Sequence, residues 1–126
     1  MTAQMSTHMT THLTTETPAP ADIAARRRDF RRLHESGCFV IPNPWDAGSA
    51  CALQALGFKA LASTSSGAAW SGARADGAMT RDEVLAHLRM LVAATTLPVN
   101  ADFESGHADD AAGVAELLPG RQEPGV

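Results

Sequence analysis

The chain has 126 residues, 44% hydrophobic and 19% charged, an ordinary globular balance with enough length for one domain and a core. Its 10 Lys and Arg against 14 Asp and Glu leave a net charge of −4, which argues against nucleic acid or an anionic membrane as the main partner, since both require a basic face. No run approaches the roughly 18 apolar residues of a membrane span, and the N-terminus has neither the basic flank nor the apolar stretch of a signal peptide, so the expectation is a cytoplasmic protein acting on a small soluble molecule.

Residues 1–21 are rich in Thr, with Pro18 and Pro20 near the end and no apolar periodicity, and they predict a disordered tail. His8 and His12 stand four apart, but nothing around them favours the helix that would make them a ligand pair. Asp22 predicts the N-cap of a helix that carries Ile23, Phe30 and Leu33 on one side and ends at Gly37. Its arginines, Arg26, Arg27, Arg28, Arg31 and Arg32, are neighboured by Asp29 and Glu35 and read as a solvated face.

Three repeats of one theme follow, each an apolar run, a polar turn and a helical segment. The first has Cys38–Ile41 as strand, Pro42–Asp46 as turn and a helix from Ala47 to Leu56 closed by Gly57. The second has Phe58–Ala62 as strand, a long Ser/Gly/Ala loop from Ser63 to Met79, and a helix opened by Thr80. In it Thr80 and Glu83 form a capping box, and Val84, Leu85, Leu88, Leu91 and Val92 form the buried stripe. The third has Leu97–Ala101 as strand, Asp102–Asp109 as turn, and a helix starting near Asp110. Cys38 and Cys51 lack CxxC or Cys/His spacing and read as core packing.

Short apolar strands alternating with helices imply parallel strands and an α/β fold, either a doubly wound open sheet or a (β/α)₈ barrel. In both, chemistry gathers where strands end and helices begin. The first strand end offers Asn43 and Pro44, then Trp45, as pocket wall or as packing, and Asp46, which can equally be the N-cap of its helix. The second offers Ser63, Thr64, Ser65, Ser66 and Gly67, a run of small residues that suits an anion cradle or a flexible serine-rich loop; Ser71–Gly77 beyond it has the composition of a lid. The third offers Asp102 and Glu104, carboxylates two residues apart that can converge on a hard cation such as Mg²⁺. Carboxylates beside an anion cradle describe a metal-bridged site for a small oxyacid.

The stretches FVIPNPWDAGSA, LGFKALASTSSGAAWSGARADG and LPVNADFESG resemble, in order and spacing, the isocitrate lyase/phosphoenolpyruvate mutase family, over Phe30 to Glu116. The resemblance implies a (β/α)₈ TIM barrel of which residues 22–116 form about three β/α units. It also implies a Mg²⁺-dependent lyase, decarboxylase or mutase that makes or breaks C–C or P–C bonds of small α-keto or 2-hydroxy carboxylic acids through an enolate-like intermediate. By position it assigns Asp102 as direct metal ligand, Glu104 as partner acid acting through metal-bound water, and Thr64, Ser65, Ser66 and Gly67, with Trp45, as the substrate-binding residues. Asp76 matches the catalytic acid of a gating loop, and full-length relatives are implied to be homo-oligomeric. A complete barrel takes roughly 250 residues. The later acid, arginine and histidine of the family pattern have no counterpart here, and His107 stands where an aromatic residue is the rule. Residues 117–126, with Pro119, Gly120, Pro124 and Gly125, break a helix that should continue. The expectation is therefore a truncated or frame-shifted product, inactive alone; the alternative is a non-catalytic fragment or an association partner of another barrel chain.

Overall fold

The computed structural model describes residues 19–117; the expected tail before Ala19, with His8 and His12, and the segment after Leu117 lie outside the described residues. The elements are α1 (Pro20–Leu33), α2 (Ala47–Ala55), β1 (Leu61–Ala62), α3 (Ser65–Ser71), α4 (Arg81–Ala94), β2 (Val99–Asn100) and α5 (Ala111–Leu117). β1 and β2 pair in parallel, Leu61 opposite Val99 and Ala62 opposite Asn100, which is the expected α/β arrangement. No helix among the described residues is long and apolar enough to cross a membrane.

Local signals formed where they were legible. Thr80 caps α4, its Oγ1 accepting the Glu83 N–H while the Glu83 carboxylate accepts the Thr80 N–H, so two orphan donors of the first turn are satisfied. Asp46 resolves as the N-cap of α2 in a reciprocal pair with Ser49, and that helix gives way to Gly57 at φ 89°, a left-handed turn that glycine adopts without strain. Asp110 accepts the Gly113 N–H at 2.7 Å at the start of α5.

Four expectations are corrected. First, α1 starts at Pro20 rather than at Asp22, with Ala19 as an N-cap that lends no side chain; proline suits the first turn, where its missing N–H has no partner to lose. Second, Cys38–Ile41 is not a paired strand. Its continuation meets β1 through one backbone bond, Ala62 N–H to Pro42 O at 3.1 Å, and Pro42 has no N–H to extend the ladder. The segment is anchored instead by Phe39, whose ring lies edge-on to His34 and Phe30 of α1. Third, the loop expected over Ser63–Met79 contains α3, because Thr64 acts as a cap, its Oγ1 accepting the Gly67 N–H at 3.3 Å. Fourth, Cys38 is exposed; Cys51 is half-buried and donates its thiol to the Ala94 carbonyl.

The core joins α2, the sheet and α4: Ala50, Leu61 and Leu91 are fully buried, with Leu53, Met90, Leu97 and Val99 packed against them. Ala60 and Ala62, on either side of Leu61, are buried as well. The expected stripe on α4 is buried at Val84, Leu85, Leu88 and Leu91, and Val92 is half-buried. Among the arginines of α1, Arg26 is half-buried and reaches across to the Val92 carbonyl at 3.0 Å, while Arg28, Arg31 and Arg32 form the exposed face.

Candidate active site at the strand ends

The two strand ends and the Pro42–Asp46 turn converge, each held by bonds that cross from one to the next. Asn43 donates its side-chain amide to the carbonyls of Ala62 and Ser63, at 2.9 and 3.4 Å. Ser63 donates its N–H to the Asn100 carbonyl and accepts the Asp102 N–H on its hydroxyl. The Ser65 N–H then donates to Oδ2 of Asp102 at 3.0 Å. Trp45 closes the ring of contacts by lying over Gly67, where a Cβ would stand 2.5 Å from the indole Nε1.

Asp102 is half-buried, and its second oxygen accepts the Glu104 N–H at 3.3 Å. The Ser65 N–H chiefly, and after it the Glu104 N–H, hold its carboxyl below the usual carboxylate range, although partial burial pulls the other way. An ionised carboxylate with two acceptor oxygens keeps lone pairs free beyond these bonds, so it remains able to take a cation or a donor. Glu104 is exposed, and its backbone sits at φ 48°, with Gly106 at 80° and His107 at 55° just after it. Non-glycine residues at positive φ are uncommon, and two within four positions mark a tightly wound turn directly after β2. The turn is closed by the Gly106 N–H to Phe103 carbonyl bond at 2.8 Å, and the His107 ring packs edge-on against Phe103 with Nε2 buried and unpartnered.

The expected residues thus divide. Trp45, Thr64, Ser65, Gly67 and Asp102 are brought together, Ser66 joins them through a 3.2 Å contact between its hydroxyl and that of Thr64, and Glu104 stands at the rim. Asp76 is not drawn in: it is exposed on the connection between α3 and α4 and carries no hydrogen bond or ion pair among the described residues. That connection is strapped to α4, where Arg74 pairs with Glu83 at 2.6 Å and also donates to the Ala78 carbonyl. Ser65 takes a part the sequence did not suggest, because its N–H is committed to Asp102. Asn43, expected at the first strand end without a role, and Ser63, expected in the anion cradle, are instead both bonded to the neighbouring strand ends. Trp70 meets Trp45 edge-on at 6.0 Å and extends the aromatic wall outward.

A groove of about 260 Å³ runs between α1, α4 and β2, lined by Ile23, Arg26, Phe30, Leu88, Val92 and Val99 among others. It is mostly apolar and contains none of the expected site residues, so size alone does not make it the functional centre. Among the described residues no group of three or more His, Cys, Asp or Glu is gathered so as to hold a metal ion.

The sequence pattern of the phosphoenolpyruvate phosphomutase family matches residues 30–126. Two uncharacterised proteins of Mycobacterium tuberculosis, strains CDC 1551 / Oshkosh and ATCC 25618 / H37Rv, are each 34% identical over 98 residues, covering 77% of this chain and 38% of theirs. Among solved structures, a Burkholderia cenocepacia J2315 protein provisionally described as a lyase/mutase is 49% identical with a TM-score of 0.74, over 76% of this chain and 35% of its own. The structure of 2,3-dimethylmalate lyase, described as a PEP mutase/isocitrate lyase superfamily member, is similar at 28% identity and a TM-score of 0.62, over 76% of this chain and 34% of that one. The chain therefore spans between 34% and 38% of the length of these relatives.

Proposed function

The chain belongs to the phosphoenolpyruvate phosphomutase family, within the PEP mutase/isocitrate lyase superfamily, and from that membership we propose that it carries the first part of a barrel active site for a Mg²⁺-dependent lyase, decarboxylase or mutase acting on small α-keto or 2-hydroxy acids. The observation that carries the reading is the Asp102 carboxylate, held ionised by the Ser65 and Glu104 N–H groups at the point where the strand ends meet. Two hard oxygen donors without histidine or thiolate suit Mg²⁺, which keeps several waters and takes further ligands from its substrate. Asp102 would hold the ion directly and Glu104 through water; the ion, when bound, supplies a Lewis acid for charge developing on a substrate oxygen.

The other residues bind and shield. Thr64 Oγ1 already accepts the Gly67 N–H, so its own proton is left for Ser66 or for a carboxylate oxygen. We assign the substrate carboxylate to the Thr64 and Ser66 hydroxyls rather than to the Ser65 N–H. Trp45 and Trp70 wall the site on one side. Asp76 contributes only after the segment holding it leaves its strap on α4 and folds over the strand ends. The acid, arginine and histidine of the family pattern without counterpart here would complete the machinery, so turnover is assigned to a complete barrel and this chain alone is assigned none. The test is Mg²⁺ titration of this chain by calorimetry, together with Mg²⁺-dependent cleavage of oxaloacetate or a 2-alkylmalate. Mg²⁺ binding without turnover is expected; no Mg²⁺ binding at all would overturn the metal assignment.

A second reading is association with another barrel chain. It is favoured by β2, which among the described residues pairs with β1 alone and borders the apolar groove. A concentration-dependent mass in analytical ultracentrifugation would support it.

A further inference from the structure

Ser63 is 5% exposed and opens the hydroxyl run. Its N–H donates to the Asn100 carbonyl at 2.8 Å, its carbonyl accepts the Asn43 amide at 3.4 Å, and its hydroxyl accepts the Asp102 N–H at 2.7 Å. One buried residue is therefore bonded to the Pro42–Asp46 turn and, twice, to the end of β2. The choice of acceptor is informative. Leu61 and Ser63 donate to Pro98 and Asn100 as a parallel ladder requires, and one further step of that ladder would send the Asp102 N–H to the Ser63 carbonyl. The Ser63 hydroxyl has taken the place of its own carbonyl, which turns to Asn43. The ladder stops there, and the Asp102 backbone is held by a side chain that reaches out from the sheet.

We propose that Ser63 is the positioning residue for Asp102: its hydroxyl ends the β1–β2 ladder and fixes the Asp102 backbone so that the carboxylate meets the Ser65 and Glu104 N–H groups while keeping a face free for a divalent cation. The proposal rests on the reading of Asp102 as a metal ligand. A group that orients a ligand commonly affects metal affinity by about 10- to 100-fold.

The experiment is titration of the 126-residue chain with MnCl₂, free Mn²⁺ being read by electron paramagnetic resonance. Ser63→Cys keeps the branching but offers a weak acceptor on a larger atom, Ser63→Ala removes it, and Ser63→Thr restores a hydroxyl. Thr95→Ala is the structural control: Thr95 is 4% exposed, bonds Gln54 through its hydroxyl, and lies before β2 rather than after it. Ser63→Cys and Ser63→Ala should raise the dissociation constant roughly tenfold; Ser63→Thr should recover affinity, Thr95→Ala should leave it unchanged, and Asp102→Ala should abolish binding. Wild-type affinity in both Ser63→Cys and Ser63→Ala, or an equal loss in Thr95→Ala, overturns the role of Ser63 and leaves Asp102 as a ligand. Absent binding by the wild type, or an Asp102→Ala chain that binds as the wild type does, removes the metal reading and the proposal with it.

Discussion

The Ser65 N–H donates to Oδ2 of Asp102 at 3.0 Å, across two strand ends that lie 37 positions apart in sequence. A donor that suits a bound substrate carboxylate is thereby committed to a carboxylate of the protein itself. The first turn of α3 and the turn after β2 are joined as one unit, and moving either element moves the acid.

Stability should respond to acid through this bond. The folded-state pKa of Asp102 is lowered, so its contribution is complete above the unfolded-state value of about 4, declines as pH falls below it, and is gone once pH passes below the folded-state value. Urea midpoints measured from about pH 6 down to about pH 2 should fall on the acid side. Asp102→Asn should fall less steeply there, while the lowered carboxyls of Asp46 and Glu83 keep some slope in both chains. Identical slopes would show that the two N–H bonds to Asp102 do not govern the acid response.

The two acids of the third strand end should separate in metal binding. Asp102→Ala should remove Mg²⁺ binding measured by calorimetry, whereas Glu104→Gln should weaken it by roughly tenfold, as expected of a ligand acting through water. Equal and negligible effects of the two substitutions would sink the assignment of both.

Gly67 has no room for a side chain. A Cβ there would meet Trp45 Nε1 at 2.5 Å and Thr64 Cγ2 at 2.6 Å, so Gly67→Ala should destabilise the chain by about 1–3 kcal/mol, the usual range for overpacking. Tryptophan fluorescence should report the displaced indole before global unfolding. An unchanged urea midpoint with an unchanged emission spectrum would contradict the packing described.

Releasing the strap on the α3–α4 connection should be a local event. Arg74→Ala removes an exposed ion pair with Glu83, which contributes little to global stability. Cleavage by a nonspecific protease within residues 72–79 should nonetheless rise several-fold, since Arg74 also bonds the Ala78 carbonyl inside that segment. Cleavage at the wild-type rate would show that the segment is held by other means.

The features legible in the sequence were those settled within a few residues. The Thr80–Glu83 capping box, the Gly57 terminus and the stripe from Val84 to Leu91 depend on neighbours one or two turns away, and each formed as expected. The Ser/Gly/Ala segment was harder, because a run of hydroxyl residues serves a loop or a helix start equally well until Thr64 takes the cap. Cys38–Ile41 reads as a strand by composition, yet pairing is decided across the sheet, and Pro42 withholds the donor that pairing needs. Trp45, Asp102 and the serine run could be named because their residue types carry chemistry. Asn43 and Ser63 could be placed at strand ends, but their bonds could not be read, since these follow from the register of Leu61 opposite Val99, a relation between segments that neither encodes alone.

The indole of Trp45 seated over the bare backbone of Gly67 also constrains how this surface can change over time. Any larger residue at position 67 requires room from both Trp45 and Thr64, so the three positions should drift together among descendants of this chain. A lineage that loses both the tryptophan and the threonine methyl gains a freedom at 67 that no lineage retaining them can explore.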